Sequence, residues 1–72
     1  LASNAPVTIY VPLADRANEW RLARAIHQRE DIYCIIGPMA EGEEWKFPPG
    51  TMVRRKAKIL PSGKQEMVAI SI

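Results

Sequence analysis

The last third of the chain constrains the fold most. Thr51–Leu60 and Gln65–Ile72 are two runs of alternating character joined around Ser62-Gly63. Period-two alternation on both sides of a Ser-Gly turn predicts a β-hairpin. With Pro61 opposite Lys64, Ala57 falls opposite Val68 and Val53 opposite Ile72, all inward. Arg54, Lys56 and Lys58 then lie opposite Ser71, Ala69 and Met67, outward. A one-residue slip mixes the faces, so this register is the expected one.

The rest of the chain is punctuated in the same way. Val7, Ile9, Val11 and Leu13 alternate with Thr8, Tyr10, Pro12 and Ala14, as a strand with one buried face does. Pro12 has no N–H to donate, so this strand lies at an edge or ends in a bulge there. Asp15–Asn18 is turn or cap chemistry. Asp31–Gly37 is β-branched and aromatic, apolar on both faces, and reads as a central strand broken by Gly37-Pro38. Met39–Glu44 is an acidic loop. Pro48-Pro49-Gly50 is a turn with Pro49 at its second position and Gly50 at the third, where φ is positive.

Glu19–Arg29 is ambiguous. Its residues favour a helix slightly, with Asp15 as a possible N-cap. The helical stripe would hold only Leu22, Ala23 and Ile26. As a strand it would put Trp20, Leu22 and Ile26 on one face, interrupted by Arg24.

Seventy-two residues make one domain with a thin core. With 47% hydrophobic and 25% charged residues, the composition is that of a globular chain. Residues 1–6 are expected to be a disordered lead or a cloning remnant, and residues 7–72 the domain itself. A lone cysteine, Cys34, excludes an internal disulfide and fits a reducing cytoplasm. No apolar run is long enough to span a bilayer, and no basic start precedes an apolar stretch, so no membrane role is expected. A small barrel is the economical architecture, because closure removes edges.

Four segments carry a resemblance: "VTIYVPLAD", "EWRLARA", "IYCIIG" and "EEWKFPPGTMVR" from Glu43 to Arg54, followed by the closing hairpin. In this order the chain resembles a group of short, uncharacterised bacterial proteins with SH3-like barrels. The most specific part is the Glu-Trp-x-Phe-x-Pro-Gly core, Glu44–Gly50. The resemblance implies an all-β SH3-like barrel of about five antiparallel strands. It also implies that Trp20–His27 is a strand paired with Asp31–Gly37. It implies no activity.

The residues point to binding rather than catalysis. Arg54, Lys56 and Lys58 repeat along one strand face about every 6.6–6.8 Å, near the phosphate spacing of a nucleic-acid strand. Tyr10, Trp45 and Phe47 could stack bases beside them, or Trp45 and Phe47 could plug the barrel mouth. Trp20 and Trp45 could instead line a peptide groove. Asp31, Glu41, Glu43, Glu44 and Glu66 nearly cancel the bases around them, the whole chain carries a net charge of only +2, and this weighs against nucleic acid. Arg55 points inward by parity, opposite Ile70. It should snorkel, pair with Glu43 or Glu44, or meet an anionic ligand.

The candidate binding surface is therefore Tyr10, Trp20, Trp45, Phe47, Arg54, Arg55, Lys56 and Lys58. A two-residue turn at Glu30-Asp31 would set His27 opposite Cys34, whereas a four-residue turn would set Ala25 there. Neither supplies a third catalytic group. One Cys and one His fall short of a zinc set, and "EGEE" is too short for a calcium loop. The expectation is a non-enzymatic, cofactor-free interaction module that binds a protein partner or itself. Nucleic acid is the alternative partner.

Overall fold

The computed structural model describes residues 5–16 and 18–72. The expected disordered lead falls mostly on residues 1–4, outside the described residues. Five strands follow one another: β1 Val7–Pro12, β2 Trp20–Arg29, β3 Ile32–Gly37, β4 Met52–Ile59 and β5 Gln65–Ile70. They form a closed barrel in chain order. Each consecutive pair is antiparallel, and an odd number of strands then forces the closing pair to run parallel. β1 meets β5 in this way, with Tyr10 beside Val68. The all-β barrel expected from the sequence is therefore present, with one parallel seam.

The interior belongs to one parity. Ile9, Val11, Ala23, Ala25, Tyr33, Ile35, Val53 and Ala69 point inward and are buried. Register explains the set: Ile9 lies opposite Ala23, Ala25 opposite Ile35, and Tyr33 opposite Val53. A five-stranded barrel has a narrow lumen, so the larger aliphatics of β1 and β3 meet alanines on β2.

That also resolves the ambiguous segment. β2 is a strand throughout, as the resemblance implied. Its apolar residues Leu22 and Ile26, which suggested either a helical stripe or an inward face, lie on the outside, and Leu22 is 57% exposed. The pairing partners on either side override the local helix preference.

The β2–β3 turn is the two-residue Glu30-Asp31, with Glu30 at φ 47°. A register shift between His27 and Arg29 moves His27 opposite Tyr33 and Ile26 opposite Cys34. His27 and Tyr33 pack with ring centroids 4.9 Å apart. The His27–Cys34 juxtaposition is thereby overturned, and so is the alternative that put Ala25 opposite Cys34.

The closing hairpin needs a further correction. Its loop has three residues, Pro61, Ser62 and Gly63, because the Leu60 N–H donates to the Lys64 carbonyl and the Gly63 N–H to the Leu60 carbonyl. Pro61 supplies the φ of a type I turn, and Gly63, at φ 89°, supplies the left-handed residue after it. The register slips by one relative to a two-residue turn. Arg54 faces Ile70, Arg55 faces Ala69, Lys56 faces Val68 and Lys58 faces Glu66. Val53 stays inward, but Ala57, expected in the core, is exposed, and so is Ile59 of the same parity, at 68%. The hairpin runs past the end of β3, so its outer half has no core beneath it.

β1 ends at Pro12, and there the chain changes neighbours. The Pro12 carbonyl accepts the Lys46 N–H, and Ala14 donates to the Glu44 carbonyl. A residue's N–H and C=O share one side of a strand, so the donor Pro12 lacks would point to this handover between β5 and residues 44–46. Leu13 bridges Trp45. This brings Trp45 and Phe47 over the barrel mouth, where both are buried. The Pro48–Thr51 turn closes with Thr51 N–H on the Pro48 carbonyl and Gly50 at φ 94°, as expected.

Candidate functional site

Because the inner face is filled, function has to reside on the outside, at the mouth or at edges. On the outside, the register aligns Lys56, Val68, Tyr10 and Leu22 in one row across β4, β5, β1 and β2. Val68 is fully buried although it belongs to the outer face. It floors a furrow of about 340 Å³ walled by Trp20 on one side and Lys56 and Lys58 on the other, with Ile70 beside it. Lys58 Nζ lies 5.5 Å from the Trp20 ring centroid, a cation–π contact that holds the indole against the sheet.

Trp20, Lys58 and Ile70 also border a second cavity of about 470 Å³, which reaches Pro12, Lys46 and the edges of Trp45 and Phe47. The two form one apolar trough rimmed by lysines. Lys46 Nζ sits 5.8 Å from the Phe47 ring centroid.

The eight sequence candidates separate on this geometry. Tyr10, Trp20, Lys56 and Lys58 share the outer face. Arg54 is also exposed there, its Nε 3.9 Å from Asp31 Oδ2. Arg55 shares Val53's parity but is exposed, with its guanidinium carbon 4.9 Å from the Tyr33 ring centroid. That contact replaces the expected pairing with Glu43 or Glu44. Trp45 and Phe47 are core plugs, at 5% and 8% exposure, and present no open ring face for stacking. Val68, Ile70 and Lys46 were missed. The first two depend on the hairpin register, and Lys46 on the bridge between residues 13 and 45.

A different cluster holds the mouth in place. Glu43 accepts from Arg21 Nε at 2.6 Å and from the Trp45 indole N–H at 3.1 Å. Hydrogen bonds from Arg21, then from Trp45, hold the Glu43 carboxyl below its ordinary range. The hydrogen bond to Glu43 correspondingly raises Arg21. Arg21 also approaches Glu19 at 3.8 Å. Glu43 thereby links β2 to the indole of Trp45.

Among the described residues no group of three or more His, Cys, Asp or Glu is placed to hold a metal ion. No buried side-chain nitrogen or oxygen among them lacks a partner. No helix among them is long and apolar enough to cross a membrane. Compared with known proteins, the chain matches no family model, no curated protein and no solved structure.

Proposed function

We propose that this domain is a non-enzymatic interaction module that docks a protein partner on the trough beside Trp20. The observation that carries the reading is the half-buried indole of Trp20, set between an apolar floor of Val68 and Ile70 and a lysine rim. An aromatic anchor at the centre of an apolar depression, ringed by charge, is the usual anatomy of a protein-docking site. The resemblance to small bacterial SH3-like barrels supports the same reading, since such barrels can dock extended ligands on exposed aromatics. Residues that would form a nucleophile, base and orienting group are not brought together at the trough. Cys34, which fits a reducing cytoplasm, lies opposite Ile26 and Met52 instead.

The experiment is a screen of an immobilised peptide library with the purified domain, repeated with Trp20→Ala. Peptides bound by the parent and lost by the variant support the site. Equal binding by both removes it.

A second reading rests on Arg54, Lys56 and Lys58, which share the outer face with Tyr10 and Trp20. A single nucleic-acid strand laid along β4 would meet cations and two aromatics. Fluorescence anisotropy with a labelled oligouridylate tests it. Binding should fall steeply between 50 and 200 mM salt, and no binding at the lower salt ends the reading.

A further inference from the structure

We propose that the free edge of β4, Lys56–Ile59, is a strand-addition site for an extended segment of a partner protein that alternates acidic and apolar residues. This rests on the protein-docking reading and specifies its chemistry.

The edge is defined by where pairing stops. β3 pairs with β4 only at Met52, Val53 and Arg54, and the last bond on that side is Arg55 N–H to the Asp31 carbonyl at 3.1 Å. On the other side β4 stays paired with β5 as far as Ile59, and Leu60 N–H continues to Lys64. Even-numbered residues therefore bond β5, and odd-numbered ones face away from it. Ala57 and Ile59 turn their backbone groups toward the open side, where no strand among the described residues pairs with them. Such a row of unpaired groups is a template for another strand.

The side chains specify the occupant. Lys56 and Lys58 stand on one face of this edge, while Ala57 and the exposed Ile59 stand on the other. Directly opposed side chains on one face of a sheet interact, favourably for opposite charges. An added strand would therefore place acids against Lys56 and Lys58 and apolar groups against Ala57 and Ile59. Charge complementarity extends beyond the edge. From Lys46 to the C-terminus the chain carries Lys46, Arg54, Arg55, Lys56, Lys58 and Lys64 against one acid, Glu66. A second copy pairing edge to edge would oppose lysine to lysine, which disfavours it against an acidic strand. The chain's own Glu43 carboxylate already holds Arg21 and Trp45 at the mouth.

The test is a titration of the isotope-labelled domain with an eight-residue peptide alternating glutamate and valine. A second peptide has the same composition in two blocks. Expected is saturable binding of the alternating peptide at least fivefold tighter than the block peptide, with slowed amide exchange at Ala57 and Ile59. Lys56→Glu with Lys58→Glu should weaken it roughly tenfold. Ala57→Pro removes an outward donor without touching the β5 ladder and should abolish binding. Lys56→Glu alone keeps the test alive if the proline variant does not fold.

No binding of the alternating peptide, or equal binding of both peptides, overturns the proposal. Binding that survives Ala57→Pro but is lost in Trp20→Ala overturns the edge while leaving the docking reading intact. Binding of oligouridylate and neither peptide overturns both.

Discussion

Arg21 donates to Glu43 across 2.6 Å, and the other oxygen of the same carboxylate takes the Trp45 indole N–H. One acid thus ties β2 to the plug over the barrel mouth. The folded carboxyl is held below the ordinary glutamate value of about 4.3. The folded state therefore binds fewer protons than the unfolded chain as pH falls through that range. The contribution of Glu43 is fully present above the unfolded value and is lost as pH drops through the folded one. Glu43→Gln should melt below the parent at pH 7, with the gap closing toward pH 3. Thermal unfolding by circular dichroism at both pH values measures this.

Reach, rather than parity, decides which isoleucine matters: Ile35 lies in the core, and Ile59 lies past the last β3–β4 pair at Arg54. Ile35, on the apolar strand β3, is fully buried, and Ile59, at the end of the basic strand β4, is 68% exposed. Ile35→Ala should cost about 2–5 kcal/mol. Ile59→Ala should stay within about 0.5 kcal/mol. Denaturant midpoints of the two variants, compared at equal m-value, give the answer. A large loss at Ile59 would mean that the outer half of the hairpin is covered.

The two tryptophans should report different environments. Trp45 is buried and Trp20 lies half-exposed under Lys58. Acrylamide should quench most of the accessible emission in Trp45→Phe and little in Trp20→Phe. Truncating the plug, Trp45→Ala, should cost about 3–5 kcal/mol. Lys58→Ala should cost no more than about 1 kcal/mol, the scale of an exposed cation–π contact.

Glycine is required at two positions for different reasons. Gly63 sits at φ 89° in open space, so Gly63→Ala carries only the backbone penalty, about 1–2 kcal/mol. Gly37 sits at φ 95°, and a Cβ there would come within 3.1 Å of the Met39 nitrogen and 3.2 Å of Pro49 Cγ. Gly37→Ala should therefore be the more damaging of the two, by chemical denaturation of both variants.

Much of this protein was legible in the chain alone, for a physical reason. Strand alternation and turn chemistry are local, and each can be read from a few neighbouring residues. Val7–Leu13, Asp31–Gly37 and the Pro48–Gly50 turn needed nothing distant to be recognised. β2 did. Its alanines look like helix formers until Ile9 and Ile35 stand opposite them and leave room for nothing larger.

The tertiary structure alone decided register and reach. A third loop residue, Pro61, slid the hairpin by one, moved Val68 to the outer face and placed Arg55 opposite Ala69. The early end of β3 then left Ala57 and Ile59 in water. Composition cannot reveal where a neighbouring strand stops, because burial depends on what lies beneath a residue as well as on its own polarity. The open edge of β4 follows from that stop, and the trough beside Trp20 follows from the slipped register.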